Sequence, residues 1–323
     1  MTGLQPAVAI IVIATFFLAW VYRWLWRRAG NTDTATGFGV LFAPLLLFAA
    51  CFGVGGLELS LALCIITVGS AIYWFDDVMG LGAWLRVGLA AVAGLAIALI
   101  IFVPQGHSII FLAALAAMAA ISTVTLVNMV NFQDGADLNL ALFILLTMAL
   151  IIAYAPPTSL WTWLSVVGTA FVATFAVVNS RPSTLYFGDS GSFAFGAFLA
   201  LLGMAFIGGD FAPPPEAAIP AALPFVDMAW VTSVRIRIRQ RFTVRHYFHL
   251  YQRLQRDHPG HFYLMPQFLN AALCVAIAEV LGAFGVGRFA AVAIAMIVIT
   301  IPVFIFCHSA LVHGEPGPPE RRT

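Results

Sequence analysis

The sequence predicts an all-α integral membrane protein, a polytopic bundle of about eleven transmembrane helices built as a single domain over residues 1–323. Three observations predict it. Hydrophobic residues make up 62% of the chain and charged residues only 9%, where soluble domains carry about 25% charged residues. The apolar residues gather into stretches close to the roughly 17–25 residues that a membrane crossing needs. Turn-forming groups punctuate those stretches: Gly55-Gly56, Pro104-Gln105-Gly106, Pro156-Pro157 and Pro213-Pro214-Pro215.

Taken in order, residues 6–26 form the first span; the stretch is too long for the core of a signal peptide and lacks a cleavage site. Residues 38–54 are short and glycine-interrupted, and the orientation of every later span depends on their crossing. Residues 57–75, 84–103 and 108–127 follow, then 139–155, 160–178, 193–209, 217–234, 266–284 and 289–310. No repeat, low-complexity tract or linker divides the chain. Cys51, Cys64, Cys274 and Cys307 are dispersed in apolar stretches without metal-ligand spacing, so they read as core-type thiols.

The chain holds no lysine, so all fifteen basic residues are arginines. Arg23, Arg27 and Arg28 follow span 1, Arg86 follows span 3 and Arg181 follows span 7. Seven more lie between Arg235 and Arg256 after span 9, and Arg321 and Arg322 lie in the tail. Arg288 alone falls on the other face. The positive-inside rule therefore predicts an outside N-terminus and a cytoplasmic C-terminus.

Four polar clusters interrupt the apolar chain, each after an odd-numbered span. Asp76-Asp77 ends span 3. Adjacent carboxylates repel and stay ionised most easily beside a cation; the plain alternative is a solvated helix end, where the macrodipole disfavours acids. Asn128, Asn131, Asp134 and Asp137 recur every three residues, which predicts one helix face for the first three. Oxygen donors so close together suit a hard cation such as Mg²⁺; an Asn/Asp/Gly turn is the alternative. Gly188-Asp189-Ser190-Gly191-Ser192 precedes span 8. It could cradle a phosphate on backbone N–H groups, hold a metal through Asp189, or simply cap a helix. In the last cluster, His246 and His249 are predicted to share a helix face, with Arg253 four residues on. Arginines surround the pair, which favours phosphate binding over metal binding. Asp227 and Glu279 lie within spans and are functional suspects for that reason. Asp227 could instead pair with a nearby arginine. His308 reads as interfacial.

The order Asp76-Asp77, Asn128-x-x-Asn131-x-x-Asp134-Gly135-x-Asp137, Gly188-Asp189-x-Gly191-Ser192 and His246-x-x-His249-x-Tyr251-Gln252-Arg253-Leu254 resembles the polyprenyl-phosphate N-acetylhexosamine-1-phosphate transferases. The HxxHxYQRL form resembles their O-antigen-initiating branch. The resemblance implies transfer of a sugar 1-phosphate from a UDP-N-acetyl sugar to undecaprenyl phosphate at the cytoplasmic face of a bacterial inner membrane, with UMP released. It implies Mg²⁺, with Mn²⁺ admissible, and admits a second copy of the chain as a partner but no nucleic acid. It implies metal ligation by Asp189 and Asn131. Asp76, Asp77 and Asp134 become catalytic candidates, with the handling of acceptor phosphate or metal left open between Asp76 and Asp77. Asp137 and Tyr186 would contact uracil, and Asn128 joins the substrate side. His246, His249, Arg245 and Arg253 would meet the diphosphate.

Three features depart from the family pattern. Thr34-Ala35-Thr36-Gly37-Phe38-Gly39 stands where a PTPRGGG-like segment is usual, Leu138 stands where a DGxDG motif has its second glycine, and the phosphate-contacting lysines have no lysine counterpart. Two other readings use the same arginines: a transporter of an anionic lipid or nucleotide sugar, and an inactive scaffold of a glycan-assembly complex. A transporter would want mid-membrane polar groups and repeated halves, and apart from Asp227 and Glu279 the spans lack both.

Overall fold

The computed structural model describes residues 4–30, 34–52, 56–80, 82–180, 185–208, 212–241, 246–258, 260–309 and 311. Twelve α-helices follow one another among them: α1 (Leu4–Arg28), α2 (Phe42–Phe52), α3 (Leu57–Met79), α4 (Ala83–Phe102), α5 (Ile109–Asn131), α6 (Asn139–Tyr154), α7 (Leu160–Asn179), α8 (Gly188–Gly208), α9 (Ala222–Arg237), α10 (Leu250–Asp257), α11 (Met265–Ala283) and α12 (Arg288–Ser309). Nine of these, some lengthened by a flanking 3₁₀ turn, are long and apolar enough to cross a membrane. The protein is an all-α polytopic membrane protein. The expected count of about eleven differs because the stretches Phe38–Cys51 and Asn139–Tyr154 form shorter apolar helices.

The chain folds as two compact units, Met1–Asp137 with Met148–Pro214, and Leu138–Thr147 with Pro215–Thr323. At the centre of the first unit stands α8. Phe193, Ala194, Phe195, Ala197, Phe198 and Leu201 are fully buried, as expected of a helix that is apolar all round. It packs against α3, α4, α5 and the 3₁₀ turn Phe38–Leu41. Buried rings of Phe38, Phe42, Phe171, Phe175 and Phe187 lock that turn to α7 and to the chain entering α8, with Phe38 and Phe171 stacked at 5.6 Å.

One end of this unit gathers the ends of several helices. The Tyr22 hydroxyl near the end of α1 donates to Thr36 O at 2.5 Å and accepts from Trp74 Nε1, near the end of α3, at 2.9 Å. Asn179, at the end of α7, donates to Leu185 O at 2.8 Å. Since α1 and α3 finish together, the chain between them must travel to the far end and return. The short α2 makes that outward trip.

Residues 35–39 run beside residues 185–187. Ala35 and Leu185 form a parallel bridge, Tyr186 N–H donates to Ala35 O at 2.8 Å, and Gly39 N–H donates to Phe187 O at 2.9 Å. A Cβ on Gly39 would stand 2.3 Å from Gly191 Cα, so only glycine permits this approach.

The second unit packs α9 and α11 against α12. Arg288 joins Glu216 and Glu279 in it, and Gln267 donates to Pro220 O at 2.6 Å. Glu279, a suspect within its span, thus has a partner at 2.8 Å in Arg288.

Candidate active site

The first turn of α8 is the centre of the carboxylate cluster. Gly188 sits at φ +81, a left-handed conformation that turns the chain into the helix. Gly-Asp-Ser-Gly-Ser is therefore helical from its first residue, five positions earlier than the expected start of the span at 193. Its orphan N–H groups are already taken. Asp134 Oδ2 accepts Gly188 N–H at 2.7 Å, and Asp77 accepts Asp189 N–H at 2.8 Å and Ser190 N–H at 3.0 Å. The expectation that these backbone donors cradle a phosphate is corrected, because two carboxylates from other helices occupy that place. Helix N-termini favour negative charge whatever its source.

Asp189 itself faces away from this cap. Its carboxylate accepts from Asn131 Nδ2 on one oxygen and from Arg86 Nη1 on the other. Arg86 Nε also lies 3.3 Å from Asp76 Oδ2, so one guanidinium joins Asp76 on α3 to Asp189 on α8. Asp76 is buried while Arg86 is one-third exposed. Asp76 and Asp189 thus share the Arg86 guanidinium, while Asp77 and Asp134 are bound to the backbone of the α8 start. Burial pushes the Asp134 carboxyl well above the usual carboxylate range; the Gly188 N–H opposes the rise, and the charges of Asp189 and Asp77 add to it.

The predicted helix face shared by Asn128, Asn131 and Asp134 is also corrected. Helix α5 ends at Asn131, so Asp134 and Asp137 lie in the turn beyond it. Asp134 still reaches α8 from there, while Asp137 is half-buried. Asn128 spends its amide N–H on Val124 O of its own helix at 2.8 Å. Tyr186 is half-buried, with its backbone in the pairing to Ala35 and Phe38. Arg86 is the residue that sequence reasoning used only to orient the chain. Its place ten residues after Asp76, on the next helix, was the available signal.

The oxygen donors fit a hard divalent cation. Asp76, Asp77, Asp134, Asp189 and the Asn131 amide are the donor types that Mg²⁺ prefers. Among the described residues no three His, Cys, Asp or Glu side chains form a cage by themselves.

The second unit holds the histidine motif. Helix α10 begins at Leu250, with His249 as its N-cap and His246 in the preceding irregular stretch. The expectation that His246 and His249 share a helix face is corrected: the chain reaches this helix extended, and the rings meet across a bend with centroids 5.0 Å apart. Asp227, buried on α9, accepts from His249 Nδ1 at 2.7 Å and from Leu250 N–H at 2.9 Å. The anticipated arginine partner for Asp227 is a histidine instead. Arg253 Nη1 lies 2.9 Å from His308 Nε2 and 5.7 Å from the Trp230 ring centre. His308, expected to be interfacial, thus supports Arg253. Burial lowers the basicity of Arg253 from its ordinary value, and Arg256 lowers it further. The His246 imidazole is pushed down to about 4, first by burial and then by His249 and Arg235, so it is neutral at pH 7. Arg245 lies outside the described residues.

The model of glycosyl transferase family 4 matches residues 59–207. Over that stretch the chain is a glycosyl transferase family 4 protein. This is the family of phospho-MurNAc-pentapeptide transferase and related polyprenyl-phosphate hexosamine-1-phosphate transferases. The match takes in Asp76, Asp77, Arg86, Asn131, Asp134 and Asp189, and ends before the histidine motif. A search of curated proteins found no match. The matched stretch takes in the helices that build the carboxylate cluster.

Proposed function

We propose that the protein transfers the sugar 1-phosphate of a UDP-N-acetylhexosamine, UDP-GlcNAc or a 6-deoxy relative, to undecaprenyl phosphate. The products are undecaprenyl-diphospho-sugar and UMP, and the step starts a lipid-linked O-antigen or another surface polysaccharide. One observation carries the reading: Asp189, in the first turn of α8, lies between Arg86 and Asn131 beside three further carboxylates, all within the family-matched stretch.

The chemistry asks for this kind of site. An oxygen of the acceptor phosphate attacks the sugar-linked phosphorus. One P–O bond forms as the bond to UMP breaks, and no oxidant or net proton is required. Several negative charges meet, so positioning and charge neutralisation supply most of the rate. Asp189 and Asn131, with the nearby carboxylates, would hold Mg²⁺, which when bound screens the charge of the donor diphosphate. Arg86 supplies a positive charge already oriented by Asp76 and Asp189. Asp77 and Asp134 fix the turn that carries Asp189. Asp137 and Tyr186 are assigned to uracil, Asn128 to the substrate side, and His249, Arg253 and Arg245 to the diphosphate. His246, neutral at pH 7, acts as a hydrogen-bonding partner rather than a standing positive charge. The arginine bias assigns this end to the cytoplasm, in a bacterial inner membrane, with the N-terminus outside and the C-terminus inside.

The test is UMP release by purified protein given undecaprenyl phosphate, Mg²⁺ and a panel of UDP-N-acetyl sugars. Release with one donor, lost in Asp189→Asn while the thermal melt in detergent is kept, supports the proposal. Normal turnover in Asp189→Asn removes the metal assignment. No release with any donor turns the reading toward a transporter or a scaffold.

A further inference from the structure

The described part of the histidine motif contains a buried acid that the sequence left without a role. Asp227 is 3% exposed and His249 2%. Both oxygens of Asp227 are directed: Oδ2 meets His249 Nδ1 at 2.7 Å and Oδ1 accepts the Leu250 N–H at 2.9 Å. The second bond clamps the carboxylate to the first residue of α10. His249 N–H is held in turn by Gln252 Oε1 at 3.3 Å. Acid, imidazole and helix start therefore form one rigid group, with the acid coming from α9.

A carboxylate is an acceptor only, so the ring nitrogen it faces must carry the proton. That leaves Nε2 as the nitrogen of His249 able to gain or give one. We infer that Asp227 is a positioning residue for the transfer: it fixes the tautomer and ring plane of His249, so that Nε2 is the nitrogen acting on the donor phosphates. The buried negative charge also offsets the second proton when a phosphate draws it onto Nε2. His246, the neighbouring ring, is pushed down to about 4 and stays neutral at pH 7. Ionisable groups that bear on this cluster are Arg235 on α9, Arg253, Arg256 and Asp257 on α10 and His308 on α12; Asp227 is a carboxylate in direct contact with His249.

The inference rests on the transferase reading, and its test separates the two. Full-length protein labelled with ¹⁵N-histidine is titrated in detergent micelles as wild type, Asp227→Asn and His249→Ala, the last assigning the signal. Asp227→Asn keeps an oxygen for Leu250 N–H, so the fold should survive, which a thermal melt checks. Wild type should show His249 protonated at Nδ1. In Asp227→Asn that proton should leave Nδ1, because the carboxylate acceptor that holds it there is gone. In UMP-release assays Asp227→Asn should lose roughly 100-fold in kcat/KM for the donor, and Asp227→Glu should recover part of it. The Asp227→Asn/His249→Ala double variant should be no slower than His249→Ala alone, since one group acts through the other. An unchanged Nδ1 signal in Asp227→Asn overturns the inference, as does a double variant whose loss is the product of the single losses. A wild-type protein that releases no UMP overturns the transferase reading, and the titration then decides by itself whether Asp227 governs His249.

Discussion

Asp77 accepts the backbone N–H groups of Asp189 and Ser190 at 2.8 and 3.0 Å, so a carboxylate from α3 serves as the N-terminal cap of α8. The start of that helix, and with it the aim of the Asp189 side chain, depends on a residue 112 positions earlier. This assigns different work to two adjacent acids: Asp77 holds the helix, and Asp76 holds Arg86.

Asp77→Ala should therefore lower stability by about 1–2 kcal/mol, the range of a lost helix cap, besides reducing activity. Asp77→Asn, which keeps one acceptor oxygen, should lose less stability. Thermal melts in detergent check both. A melt unchanged in Asp77→Ala would sink the capping role.

The pH dependence of stability should carry the mark of Asp134. Its folded carboxyl titrates well above the ordinary 3.8, so the folded chain keeps a proton that the unfolded chain has lost. The stabilising contribution is complete below the unfolded value and is lost as pH rises through the folded one. Asp134→Asn removes that loss. Without divalent cations, its melting temperature relative to wild type should climb as pH rises from about 4, and a flat difference would contradict this. His246 carries the opposite sign, because its folded value near 4 lies below the ordinary 6.5; its contribution is full above 6.5 and lost as pH falls through about 4.

Leu138 sits at φ +66, in the left-handed region that leucine enters at a cost of about 1–2 kcal/mol. It occupies the position where the family motif has glycine. Leu138→Gly should raise stability by about 1 kcal/mol, reduced by whatever burial the half-buried side chain provides. A melting temperature lower than wild type would show that packing outweighs backbone strain.

Arg253→Ala should raise KM for the nucleotide sugar more than KM for the lipid phosphate. The guanidinium lies over Trp230 and against His308, held in place before any substrate arrives. Steady-state kinetics with each substrate varied in turn decides the matter, and an unchanged donor KM would refute the assignment.

Much of this was legible in the sequence, for definite reasons. Apolar stretch length announced the long helices, because a bilayer sets a length scale. Acids, amides and arginines in a chain with 9% charge stood out as residues that lipid packing does not explain. What stayed hidden were relations between distant segments. Spacing cannot tell that Asp134 lies beyond the end of α5 yet reaches α8, or that His246 precedes α10 rather than joining it. Arg86 and Asp227 looked like a topology marker and a stray intramembrane charge. Their roles come from partners 103 and 22 residues away, which no local pattern encodes. The 34–39 segment, a departure from the family pattern, proves to be bound directly to the chain entering α8 through backbone bonds that leave no mark in side-chain chemistry apart from the glycine at 39.

That last pairing sets a schedule for the making of the protein. Ser190 donates to Gly37 O across 153 residues, so the site cannot close until the ribosome has delivered α8. At about 5–20 residues per second, the glycine-bearing segment waits roughly 8–30 s for its counterpart. For most of that interval Asp76 and Asp77 have been made while Asp189 has not. The carboxylates therefore meet only after the surrounding helices are in hand, and α8 enters a slot lined by earlier elements. A slow step in assembly should fall there, at the docking of α8, rather than in the insertion of any single helix.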